Sequence, residues 1–134
     1  SEHKKYVGSL SEIVTLDNIV YQAEINNAVF AKECRIKDDF FSSDLSLLFI
    51  VTPLEKKHNM ITLPFYVAVV DENNNLQDIQ YYSISDVFKK NLETNELIET
   101  ELTKTIFVSL PLMKGPSSVV IGFMLDKKRL EILN

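Results

Sequence analysis

The sequence predicts an all-β domain, a two-sheet antiparallel β-sandwich of the immunoglobulin or fibronectin kind with a short C-terminal helix. Three observations carry that expectation. Apolar residues recur with a period of two in segment after segment, which is the signature of strands buried on one face. Asn, Asp, Pro and Gly punctuate those segments. The chain of 134 residues is the length of one domain and can bury roughly two thirds of its unfolded surface without metal or disulfide. No internal repeat and no Pro/Gly/Ser-rich linker divides it, so residues 1–134 read as a single domain, with 1–16 as a flexible N-terminal segment.

Taken in order, Ile19, Tyr21, Ala23 and Ile25 alternate with Gln22 and Glu24 as a half-buried strand. Ala28, Phe30, Cys34 and Ile36 repeat the pattern, interrupted by Lys32, which suggests an edge or a bulge. Asn26 and Asn27 between the two runs read as a hairpin turn. A polar loop from Lys37 to Asp44 leads to a third strand, Leu45 to Thr52, stopped by Pro53. The fourth runs from Met60 to Val70, and Asp71 to Asn75 makes a tight turn into a returning strand, Leu76 to Ile84. Ser85 to Glu96 fits either a short helix capped by Ser85 or an irregular crossing between sheets. Leu97 to Leu112 alternates again, and Lys114, Gly115 and Pro116 turn the chain into a last strand, Ser118 to Leu125. Asp126 caps the C-terminal helical turns that carry Leu130 and Leu133.

Composition narrows the function classes. The net charge of -5 and the presence of two arginines, Arg35 and Arg129, disfavour a nucleic-acid partner. His3 and His58 stand apart without a second ligand at metal-binding spacing, and Gly8, Gly115 and Gly122 open no phosphate-binding loop, so no metal and no cofactor is expected. The carboxylate groups Asp38-Asp39, Asp71-Glu72 and Glu93, Glu96, Glu99 and Glu101 read as solvating charge on loops and polar faces rather than as a glycosidase pair, and the chain is not expected to be an enzyme. The single cysteine, Cys34, shares its strand face with Phe30 and Ile36 and is expected to be buried.

One feature breaks the half-buried pattern. In the strand Leu63 to Val70, Tyr66, Ala68 and Val70 lie opposite the inward Phe65, Val67 and Val69, so both faces are apolar. Leu48 and Ile50 do the same in the third strand, as do Val120 and Met124 in the last. Either the terminal segments cover this surface or another protein does, and Leu48, Ile50, Tyr66, Ala68, Val70, Val120 and Met124 form the candidate interface, with Tyr66 as its aromatic anchor.

The stretches LPFYVAVVDENNNLQDIQYYSI (Leu63 to Ile84) and VVIGFMLDKKRLEILN (Val119 to Asn134) resemble a family of small envelope-associated, lipoprotein-like proteins of alphaproteobacteria. Phe65 to Asp71 and Gly122 to Leu125 carry the likeness. It implies a cell-envelope or periplasmic setting, with membrane contact only through an N-terminal anchor outside this chain, and it implies no catalytic activity. The function expected is therefore a non-enzymatic module of the bacterial envelope that binds a protein partner or a second copy of itself, or that has a structural role. The alternative is a small-molecule binder, a barrel or sandwich with an apolar pocket.

Overall fold

Alternating side chains make strands wherever one face can be buried, and eight of them account for most of the described residues. The computed structural model describes residues 3–6, 14–17 and 20–124, with side chains for 20–124. The strands are β1 (His3–Tyr6), β2 (Val14–Asp17), β3 (Tyr21–Lys37), β4 (Phe40–Pro53), β5 (Met60–Asp71), β6 (Leu76–Val87), β7 (Thr100–Pro111) and β8 (Ser117–Phe123). They form two antiparallel sheets, ordered β1-β8-β5-β6 and β2-β3-β4-β7. Each sheet has three long strands and one four-residue strand, β1 or β2, along an edge.

One core joins the sheets. Phe49 and Leu45 on β4 meet Phe65 and Val67 on β5 and Phe123 on β8, all with negligible exposure. The Phe49 ring lies 5.5 Å from that of Phe65 and 6.1 Å from that of Phe123, tilted in both cases. Each such side chain contributes roughly 1.5–3 kcal/mol through burial. The inward rows of β5 (Phe65, Val67, Val69) and β7 (Val108, Leu110) are those the alternation selects.

The Asp71 hairpin is as expected. The Asp71 carboxylate accepts from the N–H groups of Asn73 and Asn75, each at 2.9 Å, and Asn74 takes the left-handed φ of 62° that such a turn requires.

Two sequence expectations are corrected. Asn26 and Asn27 do not turn the chain: β3 is one strand of 17 residues, and the register with β4 slips between Ile25 and Asn27. A bulge there moves the inward positions from odd to even numbers, which in sequence looks the same as a turn. The actual turn is Asp38-Asp39, with φ of 52° and 65°, the positive values that a two-residue hairpin of the primed kind needs. What reads as a loop from Lys37 to Asp44 is thus a turn of two residues and the start of β4. Of the two alternatives for Ser85 to Glu96, the irregular crossing is the one found: β6 continues to Val87, and the crossing that follows is anchored by the buried Phe88 and a turn in which the Asn91 side chain accepts from the N–H groups of Glu93 and Thr94. No helix occurs among the described residues, and the helix expected after Asp126 lies outside them.

Candidate functional site at the overhanging end of β3

Burial fades along the inward rows of the β4 sheet toward β3. On one row Leu110 of β7 is 3% exposed, Phe41 of β4 is half-buried and Ile36 of β3 is 68% exposed. On the next, Val108 and Ser43 are buried whereas Cys34 is exposed. The opposing sheet therefore covers β7 and β4 at this end and stops short of β3. The first half of β3, with Tyr21, Ala23 and Ile25, lies in the core, and the second half overhangs.

This overturns the burial expected of Cys34. Its face is the inward one, shared with Ile36 as the alternation indicates, but among the described residues no opposing layer lies over it. Phe30, half-buried, meets Phe41 edge-on at 5.5 Å and marks where the cover ends.

The overhang begins at a second bulge. Between the pairs Phe30–Leu45 and Cys34–Ser43, three residues of β3 (Ala31, Lys32 and Glu33) face the single Asp44 of β4. The Ser43 hydroxyl, nearly buried, donates toward the carbonyls of Glu33 at 3.0 Å and Ala31 at 3.4 Å, so it satisfies backbone oxygens that the ladder has released. Lys32, read in the sequence as the sign of an edge or bulge, sits in it.

Large apolar side chains gather around this end. Besides Ile36, they are Phe40 at the start of β4, Phe107 on β7 at 65% exposure and Leu112, whose N–H donates to the Asp39 carbonyl at 2.8 Å. Phe107 stands on the outer face opposite Asp44, between two hydroxyl pairs in which Ser42 donates to Ser109 at 3.1 Å and Ser46 pairs with Thr105 at 3.2 Å. Beside the bulge lies a surface depression of about 660 Å³ lined by Lys32, Glu33, Arg35, Ser42, Asp44 and Phe107 among others. Its lining is charged and hydroxylic, unlike the apolar pocket that the small-molecule alternative calls for.

The residues singled out in the sequence fall elsewhere. Tyr66, Ala68 and Val120 come together on the outer face of the β5 sheet in a small cluster with the partly buried Val70, Ile79 and Met124. Tyr66 does not project as an anchor: it is 3% exposed, and its ring lies over Gly122, its cross-strand partner, where only a hydrogen leaves room for it. Leu48 and Ile50 are half-buried on the outer face of the other sheet, so the structure does not unite the seven candidates into one surface. Sequence reasoning passed over Ile36, Phe40 and Phe107. Phe107 had a signal, a large aromatic alternating in phase with Thr105 and Ser109.

No group of His, Cys, Asp or Glu placed to hold a metal ion occurs among the described residues, and no helix there is long and apolar enough to cross a membrane. Compared with known proteins, the chain matches no family model, no curated protein and no solved structure.

Proposed function

We propose that this domain is a non-enzymatic β-sandwich module of the bacterial cell envelope and that it binds another protein through the overhanging end of β3. The observation that carries the reading is the exposure of Ile36 at 68% on a row whose far end, Leu110, is 3% exposed. An apolar inward face that its own opposing sheet leaves open is suited to contact with a second surface, and Phe40 and Phe107, on the outer face of the same sheet, and Leu112, beside the turn, add exposed apolar side chains at this end. The outer face of the β5 sheet is a weaker choice, because Tyr66, Ala68 and Val120 are already covered. The sandwich reading is supported by the shared core of the two sheets. Their order, β2-β3-β4-β7 with β1-β8-β5-β6, lends no support to the immunoglobulin subtype, which puts its first, second, fifth and fourth strands in one sheet.

The envelope setting rests on the family resemblance of Leu63 to Ile84 and Val119 to Asn134, and fractionation of the source bacterium tests it. Protein binding is tested by Ile36→Ser combined with Phe40→Ser. Both side chains are already exposed, so thermal stability should shift by no more than about 0.5 kcal/mol. Capture of protein from the envelope fraction should be lost in that variant and kept in Thr103→Ala, on the hydroxyl-rich face. Equal capture by both variants would refute the reading.

A further inference from the structure

We infer that the rim of β3 from Ala31 to Lys37 pairs with the same segment of a second copy of this chain, antiparallel, about a two-fold axis through Cys34. The inference rests on the protein-binding reading of this end and names the partner. Among the described residues β2 accompanies β3 only from Gln22 to Ile25, and every side chain from Ala31 to Lys37 is exposed. Among the described residues no strand lies along this stretch on the side away from β4. Counting from the Asp38-Asp39 turn, Lys37 and Phe40 form the hydrogen-bonded closing pair, so the N–H and C=O groups of Ile36 and Cys34 point to the open side. Such an edge is a template for another strand.

Charge selects the occupant and the register. Pairing that keeps the backbone groups of Ile36 and Cys34 bonded must centre on a residue rather than between two. Centred on Glu33 or on Arg35 it sets that charge against its own copy, and centred on Ile36 it sets Arg35 against Lys37. Centred on Cys34 it places Glu33 opposite Arg35 of the second copy, twice, with Lys32 opposite Ile36, Ala31 opposite Lys37 and no like charges facing. Glu33 and Arg35 then occupy the non-hydrogen-bonded positions, where cross-strand side chains come closest and opposite charges attract. The segment Glu33-Cys34-Arg35 is complementary to itself in the antiparallel sense. Its two-fold symmetry makes the contact closed, giving a dimer rather than a fibre.

The test uses charge reversal and the single cysteine. Sedimentation of the whole chain should show concentration-dependent dimers, and a short bis-maleimide should link two copies, necessarily through Cys34. Glu33→Arg alone and Arg35→Glu alone each set like charges opposite one another and should weaken association about tenfold or more. Mixing those two variants should restore dimers as heterodimers, and the double variant Glu33→Arg with Arg35→Glu should restore the homodimer. Circular dichroism of each variant confirms that it folds. Wild-type protein that stays monomeric at its highest workable concentration would overturn the inference, as would single variants that associate like wild type. Capture of a different envelope protein at Ile36 and Phe40 would still stand in either case, so the two ideas fail separately.

Discussion

The hydroxyl of Tyr21 on β3 donates to the Thr62 carbonyl at 2.5 Å and accepts from the Thr62 N–H at 3.3 Å, tying one sheet to the other. The reason lies in where β8 ends. Its last pair is Phe123 with Phe65, and the Met124 N–H then donates to the Pro64 carbonyl at 2.8 Å. Beyond that point the β8 side of β5 has no strand beside it among the described residues, and Tyr21 serves both backbone groups of Thr62. Pro64 is tolerated within a central strand for the same reason, since its missing N–H falls on that side.

Tyr21→Phe keeps the buried ring and removes the hydroxyl. Leaving the partly buried carbonyl and N–H of Thr62 without it should cost about 0.5–1.5 kcal/mol, read from the denaturant midpoint at unchanged m-value. A loss below about 0.3 kcal/mol, within the scatter of surface substitutions, would mean that water replaces the hydroxyl at no cost.

A second expectation concerns Gly122. A Cβ built there would lie 2.6 Å from Cε2 of Tyr66, so Gly122→Ala should displace the ring and destabilise by about 1–3 kcal/mol. In a Tyr66→Ala background the same change should cost far less, and a double-mutant cycle measures the difference. Additive effects would show that the ring and the glycine do not interact.

Cys34 is exposed, so its thiol should react with a maleimide at comparable rates in native and denatured protein. A native rate a hundredfold slower would show that the thiol is protected, against the overhang described for β3.

Asp71 supplies a pH dependence. The N–H of Asn75 holds its carboxyl below the ordinary value of 3.8, outweighing the opposing effect of desolvation, with further help from the Asn73 N–H and the Asn75 side chain. A carboxyl depressed by folding contributes stability that is present above its unfolded value and is lost as pH falls through the lower folded one. The stability difference between wild type and Asp71→Ala should therefore be flat above about pH 5, where an ordinary carboxylate is already ionised, and shrink below pH 3.8. A difference that grows on acidification would reverse the sign and contradict the turn geometry.

How far the sequence reaches can be judged residue by residue. Alternation finds Phe65, Val67 and Val69 as core and Asp71 as a turn, because period and turn chemistry are local. It misplaces the turn between Ile25 and Ala28, because a bulge and a turn shift the phase alike, and only the pairing with Phe49 and Leu48 on β4 tells them apart. It finds the right face for Cys34 and Ile36 and the wrong burial, since burial depends on how far the opposite sheet extends. The position of Tyr66 over Gly122 depends on a register between strands more than fifty residues apart in sequence, which periodicity does not encode.

The measurement that bears most directly on function places a photoreactive amino acid at Ile36, at Phe40 and, as a control, at Thr103, in protein expressed in its source organism. Adducts to protein should form at Ile36 and Phe40 and not at Thr103. Absence of adducts at both hairpin positions, or equal yield at Thr103, would contradict binding through the overhanging end of β3.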